Sequence, residues 1–343
     1  MCPSYRVTRN EKDVTRGRAN TLRLAMSGKL GKDALLRPEM AETMKLCVGC
    51  KACQRECPTG VDMAKMKTEV LYQRGQKLGF TLKDRLIAEL PRYARLAVSL
   101  RALFVLRNKV PLVAKLAERV TGISSRRSLP VMRGDFFREG EIGGPTGADD
   151  GKGVVLFTDT FNRWMDPEIP RSALRVLKSA GYTVHAASPL RGRPLCCGRT
   201  YLSAGMIDKA RAEARRTLET LLPHIKAGRP VVGLEPSCLL TMRDEFKALL
   251  PGADSEALAA NALLFEEFVA RETKAGRLSV PAQKGVSRAH VHGHCHQKAA
   301  GVMGDMADAL GSVAGLDANM IESSCCGMAG AFGYDAETID VSL

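Results

Sequence analysis

Residues 47–58 read CVGCKACQRECP, a run that sets Cys47, Cys50, Cys53 and Cys57 at C-x-x-C-x-x-C-x-x-x-C spacing and ends on a proline. This spacing wraps the first three thiolates around one corner of a 4Fe-4S cube. Zinc sites usually separate two cysteine pairs by a longer stretch, so zinc or free thiols are the weaker interpretation. The run therefore predicts a 4Fe-4S cluster bound by Cys47, Cys50 and Cys53.

The fourth ligand of this cluster has two candidates. In proteins with two clusters, the last cysteine of such a run binds the other cluster, and a distant Cys-Pro completes the first. Cys2-Pro3 is such a pair, which would leave Cys57 for a second cluster whose other ligands are absent from this sequence. In the alternative, Cys57 completes a single cluster. We favour Cys57, with Cys2 as the alternative, because fraying at the chain start competes with ligation, whereas Pro58 fixes Cys57.

Helical patterns surround the cysteine run. Thr59-x-x-Asp62 before an apolar series predicts a helix start, and Gly75 is its predicted end. Further on, leucines recur at helical spacing, with breaks at Pro91 and Pro111. We therefore predict a helical ferredoxin-type 4Fe-4S domain over 1–75, a helical connector over 76–128 and a linker over 129–152.

From residue 153 the pattern changes to strands that alternate with helices, which predicts an α/β domain with a parallel sheet over 153–343. Two segments, Cys196-Cys197-Gly198 and Cys325-Cys326-Gly327, each close a unit and indicate an internal repeat. The predicted fold class is α plus α/β, with a helical ferredoxin-type domain followed by two α/β Cys-Cys-Gly repeats. The strands are expected at 154–157, 182–186, 230–234, 289–292 and 320–322.

The sequence resembles the FAD-linked (R)-2-hydroxy-acid dehydrogenases with a fused iron-sulfur C-terminal half, of the bacterial D-2-hydroxyglutarate dehydrogenase type. The resemblance covers nearly the whole chain. It implies that the chain is a fragment, because the family has a large flavin domain before the position of Met1 and further sequence after Leu343. FAD is thus expected only in the missing N-terminal portion, and the tandem domain is expected to be truncated at its end. The matching segments are MCPSY at 1–5, TRGRAN at 15–20, the cysteine run through 64, CCG at 196–198, EPSC at 235–238 and CCGMAG at 325–330.

The Cys-Cys-Gly segments resemble the cysteine-rich domain of heterodisulfide reductase and of the glycolate oxidase iron-sulfur subunit. That domain combines an early cysteine, a Cys-Cys pair and a closing Cys-x-x-Cys to hold iron. The first repeat departs from it, since no cysteine occurs between 151 and 195 and Glu235-x-x-Cys238 replaces the closing motif. The second repeat keeps Cys295, Cys325 and Cys326, which are candidate metal ligands. In the alternative, both repeats keep only small buried thiols.

Two polar motifs are further candidates. Alternate residues of a strand share a face, so His292, His294 and His296 would point together and form a metal site, unless the segment is a polar turn. The stretch Thr15-Arg16-Gly17-Arg18 suits an anion contact through arginine forks, or a brace for the cluster or flavin domain. A solvated loop is its plainer interpretation.

The predicted function is electron transfer from a flavin that has oxidised a 2-hydroxy acid, of the D-2-hydroxyglutarate, D-lactate or glycolate type, to an acceptor. No catalytic residue is assigned, because the resemblance places the oxidising site of this FAD-linked oxidoreductase outside the chain. The fragment alone is expected to be inactive. The expected partner is a flavin dehydrogenase domain, fused or separate. The alternatives are a non-redox, metal-stabilised scaffold and a thiol-disulfide reductase-like subunit.

The positive charge of the chain lies in its first half. Residues 1–151 hold 29 Lys and Arg against 16 Asp and Glu, whereas residues 152–343 hold 22 against 21. Such a surface attracts nucleic acid, an anionic membrane or an acidic partner, but aromatic residues make up only 5%, which argues against nucleic acid. No apolar stretch of about 18 residues and no secretion signal are visible, so a cytoplasmic location is expected, with a peripheral position at the inner membrane face as the further option.

Overall fold

A computed structural model describes residues 2–143, 151–189, 192–279, 285 and 287–343. Part of the predicted linker, 144–150 with most of its glycine-rich stretch, lies outside the described residues. The cysteine run lies among helices, with a 3₁₀ turn at Glu11–Asp13. These helices are α1 (Pro3–Thr8), α2 (Thr15–Met26), α3 (Pro38–Lys45), α4 (Ala52–Glu56) and α5 (Met63–Leu78).

Helix α5 follows the cysteine run and differs from the prediction at both ends. The carboxylate of Asp62 accepts the backbone N–H of Ala64 and Lys65, so Asp62 itself caps the helix and Thr59 does not. The helix continues past Gly75, where a Cβ atom would lie 2.2 Å from the ring of Phe80. Gly75 is therefore needed for close packing, and the predicted end at this residue is wrong.

The connector consists of short helices, two of which have a proline in their first turn. Pro91 lies in the first turn of α7 and Pro111 opens α9, so the predicted breaks are confirmed. The buried Ala94 and Ala97 pack against Trp164. The helices are α6 (Leu82–Ala88), α7 (Leu90–Ser99), α8 (Arg101–Lys109) and α9 (Pro111–Thr121), and a 3₁₀ turn follows at Glu139–Glu141.

The α/β part contains parallel strands, as predicted, and these form two groups. In the first, the strands lie side by side in the order β2, β1, β3, β4; in the second, β5 pairs with β6. The three-residue β4 is absent from the sequence-based expectation. The strands are β1 (Gly153–Phe157), β2 (Thr183–Ala186), β3 (Val231–Gly233), β4 (Ala262–Leu264), β5 (Ser287–Val291) and β6 (Leu316–Met320).

Helices cover both faces of the first sheet. Along β1, Val155 and Phe157 belong to one hydrophobic cluster, whereas Val154 and Leu156 belong to another. This alternation explains why every residue of β1 is buried. The helices are α10 (Thr160–Trp164), α11 (Glu168–Ser179), α12 (Arg199–Ser203), α13 (Ile207–Lys226), α14 (Pro236–Arg243), α15 (Glu245–Leu249), α16 (Ala253–Asn261), α17 (Phe265–Lys274), α18 (Cys295–Ala300), α19 (Met303–Gly311) and α20 (Ile339–Ser342), with a 3₁₀ turn at Gly330–Tyr334.

Candidate iron-sulfur site

Four cysteine side chains surround one cavity of about 220 Å³ in the helical part: Cys2, Cys47, Cys50 and Cys53. A water molecule takes up about 30 Å³ in the liquid, so this space admits a group much larger than a single ion. Three of these cysteines share one loop, whereas Cys2 comes from the start of the chain. Their thiols are the ligand type that holds iron-sulfur clusters, so the residues present fit a 4Fe-4S group.

The ligand loop is shaped by its backbone and anchored by packing. Gly49 and Lys51 both have positive φ, at 66° and 61°, which turns the chain sharply between the cysteines. Cys47 packs with Met44 and Met63 in the hydrophobic cluster of this part. The ammonium group of Lys67 donates to the Cys47 carbonyl at 2.7 Å. The loop is thus held by apolar contacts at Cys47 and by a hydrogen bond from the half-buried Lys67.

Cys2 is tied into the structure by Arg18 of the Thr15–Arg18 motif. The guanidinium of Arg18 is fully buried and donates to the Cys2 sulfur at 3.5 Å, to the Asp13 carbonyl at 2.8 Å and to the Ser4 hydroxyl at 3.1 Å. Its Nε donates to the Thr43 carbonyl at 3.0 Å, which links α2 to α3. Arg18 therefore braces the cluster pocket, and the fraying expected next to the chain start is opposed by these bonds.

Arg16 and Gly17 of the same motif have different surroundings. Arg16 lines the cavity mouth, and its exposed side chain pairs with Glu11 at 2.7 Å. A Cβ atom on Gly17 would lie 2.1 Å from the Glu11 carbonyl oxygen, so only glycine lets α2 pack on the preceding turn. The solvated-loop interpretation does not describe this segment, because it lies in helix α2.

Cys57 lies outside the group that the cavity brings together. It caps the end of α4, and its sulfur lies 3.1 Å from the Thr59 hydroxyl oxygen. That hydrogen bond lowers the pKa of Cys57. By contrast, burial, together with the charges of Cys2, Cys47 and Cys53 when these are ionised, raises the pKa of Cys50 to about 11. The cavity thus disfavours a bare thiolate at Cys50, which a cationic iron group would compensate.

Lys51, the basic residue inside the ligand loop, points away from the thiols. Its ammonium group is buried and forms ion pairs with Glu245 at 2.7 Å, with Asp62 at 3.8 Å and with Asp244. The guanidinium of Arg55 donates to the Lys298 carbonyl. Both cations therefore join the ligand loop to the α/β part.

His296 makes a second contact between the same two parts. Its Nε2 lies 3.1 Å from the Gly49 carbonyl oxygen and 3.2 Å from Nη2 of Arg199. Burial, and then the charge of Arg199, lower the pKa of His296 to about 2. The ring is therefore neutral near pH 7, because burial and the neighbouring guanidinium both disfavour its protonated form.

The predicted histidine face on a strand is wrong. Strand β5 ends at Val291, and the side chain of His294 caps α18 by accepting the His296 N–H at 3.1 Å. His296 lies inside that helix, while His292 lies 2.7 Å from the Ser323 hydroxyl. The chain leaves the strand before the alternating histidines begin. His294 therefore caps a helix, His296 contacts the ligand loop, and His292 lies in a turn.

The second Cys-Cys-Gly segment lies next to the ligand loop and remains partly open. Cys295 opens α18, which packs against α4, and Cys326 is exposed. The Cys295 thiol, donating to Cys325, lowers the pKa of Cys325 to about 6, helped by the Gly327 N–H at 3.4 Å. The same contact raises the pKa of Cys295. Cys325 is thus the more acidic thiol of this pair.

The first Cys-Cys-Gly segment is buried. Cys196, Cys197 and Cys238 are 4%, 2% and 3% exposed, and the latter two belong to the main core. Contact with Cys197, together with burial, raises the pKa of Cys196. Cys196 and Cys197 lie in the segment that follows the carboxyl end of β2, and Cys238 lies in the segment that follows the carboxyl end of β3. Ligands bind at such points in open α/β sheets.

Asp159 follows the end of β1, and Glu235 follows the end of β3. Burial, and then the charge of Glu235, raise the pKa of Asp159 to about 6. Its carboxylate caps α10, and that of Glu235 caps α14 through the Cys238 N–H at 2.7 Å. Both carboxylates are therefore engaged in helix capping. Within the part of the chain that the structure describes, no group of three or more His, Cys, Asp or Glu side chains is arranged to hold a single metal ion. The four cysteines around the cavity fit a larger iron-sulfur group instead.

Comparison with known proteins identifies the class of the helical part. Residues 1–61 match the 4Fe-4S dicluster domain. The cofactor prediction, a 4Fe-4S cluster, is thereby confirmed. No solved structure matches the chain.

Curated relatives extend the likeness to the whole chain. D-2-hydroxyglutarate dehydrogenase of Escherichia coli is 24% identical over 100% of this chain and 37% of its own length. One of the subunits of the anaerobic glycerol-3-phosphate dehydrogenase of the same organism is 26% identical over 67% of the chain and 57% of the relative. The glycolate oxidase iron-sulfur subunit of E. coli is 24% identical over 67% and 52%. These relatives confirm the resemblance, and the chain spans little more than a third of the first of them.

Among the helices of the described residues, none is long and apolar enough to cross a membrane.

Proposed function

We propose that this chain is the iron-sulfur electron-transfer portion of a flavin-dependent 2-hydroxy-acid dehydrogenase. The observation that carries the proposal is the cavity lined by Cys2, Cys47, Cys50 and Cys53. Relatives named as a 2-hydroxy-acid dehydrogenase and as an oxidase iron-sulfur subunit support the flavin-linked setting. The expected partner is the flavin dehydrogenase domain, fused or separate, and FAD belongs to that partner.

We propose Cys2 as the fourth ligand of the cluster, in place of Cys57. Its side chain lines the same cavity as the other three thiols, and the buried Arg18 donates to its sulfur. This arrangement leaves Cys57 for a second cluster, in keeping with the dicluster description of the matched domain. The sequence offers no other run of closely spaced cysteines for that cluster. Its remaining ligands would come from a flavin partner or from sequence beyond this chain.

When bound, the cluster accepts and releases single electrons. The residues of the chain position it and shield it. Arg18 donates a hydrogen bond to the Cys2 sulfur at 3.5 Å, which holds this side chain at the cavity. The ion pair of Lys51 with Glu245 holds the ligand loop against the α/β part, and its pair with Asp62 holds the loop against the start of α5.

The fine organisation of the α/β part is also a proposal. Two parallel strand pairs, β1 with β2 and β5 with β6, precede the two Cys-Cys-Gly segments, which supports an internal repeat. Cys295, Cys325 and Cys326 stay a predicted metal site that would need a further ligand. The boundaries at 75, 128 and 152 likewise stay a prediction, and so does a cytoplasmic location with peripheral attachment at the inner membrane face.

Iron and acid-labile sulfide analysis of anaerobically purified protein tests the proposal. We expect iron and sulfide in equal amounts, a brown colour that dithionite bleaches, and an electron paramagnetic resonance signal of a reduced 4Fe-4S cluster. A colourless protein that contains zinc would instead indicate a non-redox scaffold. Oxidation of 2-hydroxy acids by the chain alone would contradict its role as one portion of the dehydrogenase.

Comparison of Cys2→Ala with Cys57→Ala decides the fourth ligand. If Cys2 completes the cluster, Cys2→Ala loses the 4Fe-4S signal of the reduced protein, and Cys57→Ala keeps it. The opposite result would restore the single-run assignment. Circular dichroism of both variants separates loss of the cluster from loss of the fold.

A further inference from the structure

The connector helices α7, α8 and α9 expose large apolar side chains to solvent. Leu112 is 77% exposed and Leu103 is 58% exposed. Patches of this kind on a folded protein usually mark an interaction site. The exposed apolar set of this segment, which we call the leucine surface, consists of Leu96, Leu100, Leu103, Leu106, Leu112, Leu116 and Val120.

The charges beside the leucine surface are almost all positive. Residues 90–121 contain seven Lys and Arg and a single acidic residue, Glu118. The Glu118 carboxylate is engaged, because it accepts the Ser125 backbone N–H. One cation, Arg107, is buried and donates to the Arg127 carbonyl at 2.7 Å. The exposed cations are Arg92, Arg95, Arg101, Lys109, Lys115 and Arg119.

The opposite faces of these helices are occupied by the fold. Ala94 and Ala97 pack against Trp164, and Ala114 of α9 is buried. The aromatic residues of the segment also turn inward: the Tyr93 hydroxyl donates to the Leu86 carbonyl, and Phe104 packs on the same cluster. The exposed faces thus combine leucine with arginine and lysine, without an aromatic anchor.

We propose that the leucine surface and its cations bind the surface of an anionic phospholipid bilayer. Amphipathic helices with an apolar face and flanking Lys and Arg lie in the plane of the interface and bury that face among the acyl chains. Protein interfaces, by contrast, centre on aromatic anchors, which this surface lacks. Helix α9 spans 11 residues, about 16 Å at the rise of an α-helix. It therefore lies on the membrane and cannot cross it.

This attachment does not depend on the proposed electron-transfer role, since it requires only the folded connector. It would hold the chain against a leaflet rich in anionic lipids, whose surface potential attracts basic segments. The apolar and electrostatic contributions can be separated by salt, because exposed charges are screened at high ionic strength, whereas leucine insertion is not.

Flotation of the full chain with lipid vesicles tests the proposal. We expect the protein to float with vesicles made of equal parts phosphatidylglycerol and phosphatidylcholine, and to stay unbound with phosphatidylcholine alone. High salt should release most of it. Absence of flotation with the anionic vesicles, or equal binding to both compositions, would overturn the proposal without the need for any variant.

Two paired variants identify the surface. Vesicle binding should weaken about tenfold or more in each of two double variants. The first is Leu112→Ser with Leu116→Ser, and the second is Lys115→Glu with Arg119→Glu. Lys29→Glu with Lys32→Glu makes the same charge change at another exposed site and should leave binding within about twofold. Fluorescence of Trp164, the single tryptophan of the chain, reports whether the connector still folds.

Two results would contradict the assignment to lipid. If the Lys29 and Lys32 control loses as much binding as the connector variants, attraction is general and the leucine surface is not its site. If the full chain forms a concentration-dependent dimer that Leu112→Ser with Leu116→Ser abolishes, the surface is covered by a second copy. Sedimentation velocity without lipid measures this directly.

Discussion

The same residue type does two different things in the two cysteine-rich parts of this molecule. In the helical part, Cys47, Cys50 and Cys53 face a cavity of about 220 Å³. In the α/β part, Cys197 and Cys238 are side chains of a closely packed core, in contact with each other and with apolar neighbours. Thiols that face open space can bind a group, whereas thiols in a filled core behave as small apolar side chains.

The difference follows from the backbone around the thiols. In the ligand loop, residues 49 and 51 with positive φ turn the chain so that successive cysteines face inward around a common centre. In the α/β part, Cys197 and Cys238 belong to one hydrophobic cluster with side chains of α12, α13 and α14, among them Leu202, Leu218 and Leu239. Cysteine spacing therefore predicts ligation only where the intervening loop leaves room.

Iron content should show the largest contrast between the two parts. Cys50→Ser removes one of the three clustered thiolates and should lose most of the iron, while Cys238→Ser should retain it. Acid-labile sulfide and iron, measured per chain, are the readout. Equal loss in both variants would move the main site into the Cys-Cys-Gly part.

The cluster loop can be predicted from sequence because its ligands are local. Its spacing needs no knowledge of the rest of the fold, and the breaks at Pro91 and Pro111 are equally local. The choice between Cys2 and Cys57 is different, because it depends on Arg18, whose contacts reach 25 positions along the chain to Thr43. Sequence spacing contains no such information.

Errors in the predicted elements have three different physical causes. His292, His294 and His296 alternate as in a strand, but the cap formed by His294 and Gln297 starts a helix instead. Gly75 resembles a helix stop, yet its close approach to Phe80 is a tertiary contact. Strand β4 is only three residues long, too short for an alternating pattern to appear.

The next largest effect, a loss of unfolding free energy, is expected when Arg18 is replaced. This change tests whether the pocket around Cys2 depends on Arg18. Arg18→Met leaves the Asp13 carboxylate, 3.6 Å away and buried, without its cation. Removal of one partner of a buried pair costs about 3–5 kcal/mol of unfolding free energy. The neighbouring Arg16→Met breaks an exposed pair with Glu11 and should cost less than about 1 kcal/mol. Urea unfolding of both variants measures the difference, and similar losses would show that Arg18 is no brace.

A smaller, pH-dependent effect is expected at Asp159, beside the buried thiols. The folded pKa of about 6 lies above the value near 4 of an unfolded aspartate. Between these values the folded state binds more protons, so this group lowers stability as pH rises from about 4 to 6, and the loss then stays constant.

Asp159→Asn tests that effect, because asparagine can still cap α10 while it cannot ionise. Relative to the variant, the natural protein should lose on the order of 2 kcal/mol between pH 4 and pH 7. Urea unfolding at both pH values gives the difference. A difference that does not change with pH would mean that Asp159 ionises freely in the folded protein.

The smallest contrast lies within the α/β part, between its two Cys-Cys-Gly groups. Cys238 is buried in the core and Cys326 is exposed. Cys238→Ala removes a sulfur atom from a filled space and should cost about 1–2 kcal/mol of unfolding free energy. Cys326→Ala removes it from the surface and should change stability by less than about 0.5 kcal/mol. Because both substitutions delete the same atom, the ratio of their effects measures packing alone. Equal costs in urea unfolding would mean that Cys326 is held as firmly as Cys238, as a metal at the second segment would require.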